Sequence, residues 1–101
     1  MKKLITKLSE EFHERMSEPD GWGTRKLPNN YDITFDFTRN CELELRKDIE
    51  NSPGCCSTVN CISFNMLKNG DWITIKDFEQ KLEELFKDVK FSAMEIKKYL
   101  E

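Results

Sequence analysis

Two stretches of this chain alternate apolar and polar residues without a break. They are Tyr31-Asp32-Ile33-Thr34-Phe35-Asp36-Phe37 and Cys41-Glu42-Leu43-Glu44-Leu45-Arg46. Period-two alternation is the pattern of a strand with one buried and one open face. The intervening Thr38-Arg39-Asn40 has the length of a hairpin loop, and Asn40 tolerates the left-handed conformation such loops use. This arrangement pairs Phe37 with Cys41, Phe35 with Leu43 and Ile33 with Leu45. All the apolar residues then share one face. Asp32, Asp36, Glu42 and Glu44 share the other.

Upstream the period changes. Leu4, Leu8, Phe12 and Met16 recur every four residues, with Ile5 beside them, which predicts an amphipathic helix over residues 3–17. Pro19 and Gly21 end it. Residues 18–30 hold two of the three prolines and two of the four glycines and read as a loop, with Trp22 set between two glycines. Residues 48–57, which include Pro53-Gly54-Cys55-Cys56, read as a second loop.

Asn69-Gly70 is a strong short hairpin signal. A two-residue turn there pairs Lys68 with Asp71, Leu67 with Trp72 and Met66 with Ile73, and brings Phe64 near Ile75. Val59 and Cys61 have the opposite parity from Ile62 and Phe64, so a bulge near residues 60–62 is expected. Thr74 with Asp77 forms a capping box and Ile73 with Phe78 a hydrophobic staple. Phe78, Leu82, Leu85, Phe86 and Val89 continue as a helical stripe. Ser92 with Glu95 and Phe91 with Ile96 repeat both devices before a short last helix. The fold class expected is α+β: one domain over residues 1–101, with a mainly antiparallel four-stranded sheet made of two hairpins. An N-terminal helix and two C-terminal helices complete the order α-β-β-β-β-α-α.

The chain of 101 residues carries a net charge of −3. Residues 1–30 contribute +1, residues 31–71 contribute −3 and residues 72–101 contribute −1. The negative charge therefore sits in the sheet segment, which argues against direct nucleic-acid binding, since phosphate needs a basic surface. The last helix offers only Lys97 and Lys98 as recognition cations, next to Glu95 and Glu101. The N-terminal segment turns charged too early for a signal-peptide core, and no apolar run approaches a membrane span. These features predict a cytoplasmic protein, no membrane partner and reduced thiols.

Candidate chemistry is sparse. Cys41, Cys55, Cys56 and Cys61 lack the paired spacing of common zinc sites, so no metal and no cofactor is expected. A thiol- or metal-dependent regulator is the alternative they leave open; a small nucleic-acid-binding domain is another. His13 is the one histidine, and it lies on the polar flank of the first helix with no nucleophile motif nearby. Strand carboxylates in water keep ordinary acidities, whereas catalysis needs perturbed ones. The chain is therefore read as a non-enzyme.

The carboxylates themselves are the remaining signal. Asp32 opposite Arg46 is a favourable pair, but Asp36 opposite Glu42 is a like-charge contact. An antiparallel sheet keeps one polar face in water in any case. A like-charge cluster on a rigid sheet also suits docking on a basic surface. Trp22, Arg25 and Tyr31 are the residue types that dominate interface hot spots. The expected function is a small acidic protein–protein interaction module, an inhibitor or adaptor of the kind carried by phages and mobile elements. Its binding residues are Asp32, Asp36, Glu42, Glu44, Trp22, Arg25 and Tyr31. Its partner is a basic, nucleic-acid-handling protein. Leu67 with Trp72 form a second apolar patch, covered by the terminal helices or left open.

Overall fold

A computed structural model describes residues 1–18, 21–49 and 56–100 of the chain. The first helix, α1 (Lys2–Met16), buries Leu4, Ile5, Leu8, Phe12 and Met16. That is the four-residue stripe with Ile5 beside it. Ser9, the polar residue on this buried side, donates its hydroxyl to the Ile5 carbonyl at 2.7 Å and so loses no hydrogen bond. The Ser17 hydroxyl donates to the Glu14 carbonyl at the helix end. The helix-ending role given to Pro19 lies outside the described residues.

Four antiparallel strands follow in simple up-and-down order: β1 (Trp22–Lys26), β2 (Tyr31–Asp36), β3 (Cys41–Asp48) and β4 (Cys56–Phe64). The β2–β3 hairpin has the register its alternation requires, with Ile33 against Leu45, Phe35 against Leu43 and Asp36 against Glu42. Its loop is stabilised differently from the expectation. Asn40 is not among the residues with positive φ. Instead the Asp36 carboxylate accepts both the Thr38 N–H (2.9 Å) and the Thr38 hydroxyl (2.7 Å), an Asx turn that closes the loop from its first residue.

Two strand assignments differ from the sequence reading. Residues 22–26, read as loop, form the edge strand β1 and pair with β2 from Trp22 opposite Asp36 to Lys26 opposite Asp32. A short 3₁₀ turn, Pro28–Asn30, connects them, with Asn29 and Asn30 at positive φ. β4 does not continue into the Asn69-Gly70 hairpin. It pairs along β3, from Phe64 opposite Cys41 to Cys56 opposite Asp48. The expected bulge is present one residue early: Leu45 faces Asn60 and Arg46 faces Thr58, which leaves Val59 as the extra residue.

The Asn69-Gly70 turn closes a separate two-residue hairpin of β5 (Leu67–Lys68) and β6 (Asp71–Trp72), with Leu67 opposite Trp72. Both turn residues have positive φ, 53° and 86°, which fits Asn followed by Gly in a tight turn. The Ile73 N–H bonds to the Met66 carbonyl at 2.9 Å. Ile75, expected near Phe64 in the hairpin, is instead the first residue of a helix.

That helix, α2 (Ile75–Leu85), carries the capping box in full: the Asp77 N–H donates to Thr74 Oγ1 and the Thr74 N–H to the Asp77 carboxylate. α3 (Ala93–Leu100) is capped the same way by Ser92 and Glu95. The helices pack on one face of the sheet. Phe12 meets Phe35 and Phe37 at ring-centroid distances of 5.1 and 5.8 Å, and Phe78 meets Phe37 and Phe64 at 5.9 and 5.5 Å. Each fully buried side chain of this cluster contributes on the order of 1.5–3 kcal/mol. No described helix is long and apolar enough to cross a membrane.

Candidate functional site

With every helix on one side, the other side of the sheet has no described element over it. Strand pairing fixes what it presents. One row runs Trp22, Asp36, Glu42, Ser63 across the four strands; the next runs Thr24, Thr34, Glu44, Cys61. A third row holds Lys26, Asp32, Arg46 and Thr58. The four carboxylates read from the sequence share this face, and Trp22 joins them because β1 is a strand.

The carboxylates are not equivalent. Asp32 is only 2% exposed. Arg46 Nε lies 2.8 Å from its Oδ1 and Lys26 Nζ lies 3.9 Å from its Oδ2. This contact also drives the Arg46 guanidinium to still higher basicity. Asp32 was expected to face solvent; it is instead the covered centre of an ion triad, because both cationic neighbours fold over it. Asp36, Glu42 and Glu44 meet no cation within salt-bridge distance among the described residues. The two bonds from Thr38 hold the Asp36 carboxyl below its ordinary value of 3.8, with Arg39 adding a smaller pull in the same direction. Glu44 accepts a hydrogen bond from the Thr58 hydroxyl. Glu42 has no side-chain hydrogen bond among the described residues and is exposed.

These three acids border a shallow hollow of about 530 Å³ in the middle of the face, lined also by Thr34, Cys61 and Ser63. Thr34 Oγ1, at its floor, has no hydrogen-bond partner among the described residues. Trp22, 64% exposed, flanks the row from the edge strand. The glycines around it serve packing. A Cβ on Gly21 would meet the Arg15 carbonyl at 2.7 Å, and one on Gly23 would meet the Phe35 ring at 3.3 Å. Strand alternation turns the bulky Trp22 outward, between two glycines whose backbone lies close to its neighbours.

Arg25 and Tyr31 lie on the opposite side, among the helices. Arg25 Nε sits 3.1 Å from Glu11 Oε2, and its guanidinium lies over the Tyr99 ring at 5.4 Å. The Tyr99 hydroxyl in turn donates to the Lys26 carbonyl. The Tyr31 ring contacts Phe91, with Lys47 over it at 5.0 Å. Both residues tie β1 and β2 to the helical layer.

The described thiols are dispersed. Cys41 is fully buried near Met16 Sδ, and burial pushes it up to about 12. Cys56 donates to Asp48 Oδ1 at 3.2 Å, which raises it as well. Cys61 is exposed on the open face, and Cys55 lies outside the described residues. Asp32, Asp48 and Cys56 can bring one ligand atom each within 4.8 Å of one another. The Arg46 guanidinium already occupies the Asp32 carboxylate there, so a cation would have to displace an ion pair. His13 packs edge-on against Phe78 at 6.3 Å and makes no side-chain hydrogen bond or ion pair among the described residues.

Leu67 and Trp72 are 53% and 61% exposed, so the terminal helices leave this second patch open. No family model, curated protein or solved structure matches the chain.

Proposed function

We propose that the chain is a small, non-catalytic protein–protein interaction module that docks its open sheet face on a basic protein surface. One observation carries the reading: Asp36, Glu42 and Glu44 stand together on a rigid face with no ion pair among the described residues, Arg39 and Arg46 acting on them only from beyond salt-bridge distance, beside the exposed Trp22. A soluble sheet face gains nothing in stability from placing Asp36 directly opposite Glu42. The arrangement does supply a local negative field, which speeds encounter with a basic partner. Trp22 adds an apolar anchor at the rim of that field. The three acids also repel nucleic-acid phosphate, which supports a protein partner, and a nucleic-acid-handling protein carries a basic surface of the kind they would meet. In this reading the module acts as an inhibitor or adaptor by occupying that patch.

The test uses the immobilised chain in cell extract at low and high salt. Wild type should retain a basic protein that salt releases, and Glu42→Lys and Trp22→Ala should each retain less of it. Equal retention by all three forms would remove the acidic face from the mechanism.

A further inference from the structure

We propose that the outer edge of β4 pairs with the same edge of a second copy of this chain, in antiparallel register, to make one continuous sheet of twice the width. β4 is an edge strand: β3 lies on one side, and among the described residues no other strand adjoins it. Among the described residues, none of its backbone groups bonds to backbone outside the β3 pairing. The Cys61 N–H donates to the neighbouring Asn60 Oδ1 at 3.0 Å, a local side-chain substitute for an absent strand. Open edges of this kind are templates for further pairing, and proteins usually guard them with charge, proline or cover.

The strand itself carries neither charge nor proline to guard that edge. Cys56-Ser57-Thr58-Val59-Asn60-Cys61-Ile62-Ser63-Phe64 has no ionisable group besides its two thiols, and no proline or glycine. The bulge at Val59 is its one irregularity, and it confines regular pairing to Asn60–Phe64.

The lack of charge also selects the occupant. In a two-fold antiparallel seam the edge meets a reversed copy of itself, so an edge bearing charge of one sign opposes itself and a neutral one does not. The opposite edge, β1, carries Arg25 and Lys26 and is shorter. The nearest acids on the open face, Glu42 and Glu44, are one strand back from the seam. Across the seam the two Glu44 backbone positions would stand three strand spacings apart, roughly 14 Å, with each carboxylate drawn to Thr58 of its own β4, outside the Asn60–Phe64 seam. That exceeds the Debye length of about 8 Å at physiological salt, so their repulsion is largely screened. The two-fold axis of an antiparallel seam stands perpendicular to the sheet. Both acidic faces would then look the same way. A five-residue seam is small, so the dimer should be weak, in the micromolar range or above.

Sedimentation of the chain from micromolar to millimolar concentration, in reductant, tests this. Wild type and Cys61→Ser should both shift from monomer to dimer, because Ser keeps the backbone N–H. Cys61→Pro lacks that N–H and should associate at least tenfold more weakly while keeping its helical circular dichroism. Amide hydrogen exchange of wild type gives a readout that needs no variant: protection of Cys61 and Ser63 should rise with protein concentration, and that of β1 should not. A wild-type chain that stays monomeric overturns the proposal. So does a dimer that Cys61→Ser abolishes, one that a folded Cys61→Pro leaves intact, or one whose protection appears away from β4.

Discussion

Arg46 holds the buried carboxylate of Asp32 across the β2–β3 pair, with Nε 2.8 Å from Oδ1. The contact lies on the open face of the sheet yet behaves as an interior one, since Asp32 is 2% exposed and Arg46 is mostly covered. Removing the cation therefore leaves a buried negative charge with only Lys26, at 3.9 Å, to answer it. Arg46→Ala should cost about 2–4 kcal/mol in urea unfolding. Asp32→Ala combined with Arg46→Ala should cost less than the sum of the two single changes. Additive costs, or a loss under about 1 kcal/mol for Arg46→Ala, would show that the pair is an ordinary surface contact.

Acid should destabilise the fold through two carboxylates with hydrogen-bonded, depressed acidities. Asp36 is lowered mainly by the Thr38 bonds and Asp77 mainly by the Thr74 N–H. In each case the folded value lies below the ordinary 3.8. As pH falls through 3.8 the unfolded chain takes up these protons first, and the folded chain keeps both groups ionised. Their contribution is thus complete above that pH and is lost as pH falls further, through the folded values. Melting temperature should decline below about pH 4, and the decline should be shallower in Asp77→Asn. An identical acid profile for that variant would remove the capping carboxylate from the explanation.

The β2–β3 hairpin was legible because two signals agree: strict alternation on both strands and a loop of three residues between them. The helix caps were legible for a similar reason, since Thr74 with Asp77 and Ser92 with Glu95 each coincide with an apolar staple. β1 was not legible. Its inward positions are Gly23 and Arg25 rather than apolar residues, so period two never appears in the hydropathy. The partner of β4 was hidden by the bulge at Val59, which breaks its parity, and by the Asn69-Gly70 turn, which points to a local pairing.

The site was legible in part for the same reasons. Asp36, Glu42 and Glu44 follow from alternation alone. Grouping Arg25 and Tyr31 with Trp22 by nearness in sequence ignores parity. Tyr31 alternates in step with Ile33 and Phe35, and Arg25 pairs with Ile33, so both turn to the helices. The burial of Asp32 needed the position of Lys26, which only the β1 pairing supplies.

The three described cysteines should differ in reactivity among themselves in a fixed order. Cys41 is buried and raised to about 12, so its thiolate is scarce and inaccessible at neutral pH. Cys56 is raised first by its hydrogen bond to Asp48. Cys61 is exposed on the sheet face. Brief treatment with iodoacetamide, followed by peptide mass spectrometry, should label Cys61 fastest and Cys56 more slowly. Cys41 should be labelled only after unfolding. Rapid native labelling of Cys41 would contradict its packing against Met16.

The proposed docking face calls for substitutions that separate binding from folding, and the local contacts of each acid decide which to use. Asp36 closes the hairpin loop through Thr38, so changing it disturbs the fold as well as the field. Glu42 is exposed with no side-chain bond among the described residues, which makes Glu42→Lys the cleaner charge reversal. Its stability should stay within about 0.5 kcal/mol of wild type, as is usual for a surface change, with relief of the Asp36 contact acting in its favour. Once a basic partner is in hand, Glu42→Lys should slow association at low salt, and the gap from wild type should close as salt screens both. Trp22→Ala should act on the other rate. Loss of an anchor of this size should speed dissociation by about tenfold or more, with little change in the salt dependence of association. Arg25→Ala serves as the contrast, because its partners Glu11 and Tyr99 are internal; it should lower stability and leave both rates alone in the folded fraction. If Glu42→Lys and Trp22→Ala bind as wild type does, the acidic face is only a solvated surface. The contact must then be sought at Leu67 and Trp72, the other exposed apolar pair, where Trp72→Ala should weaken binding instead.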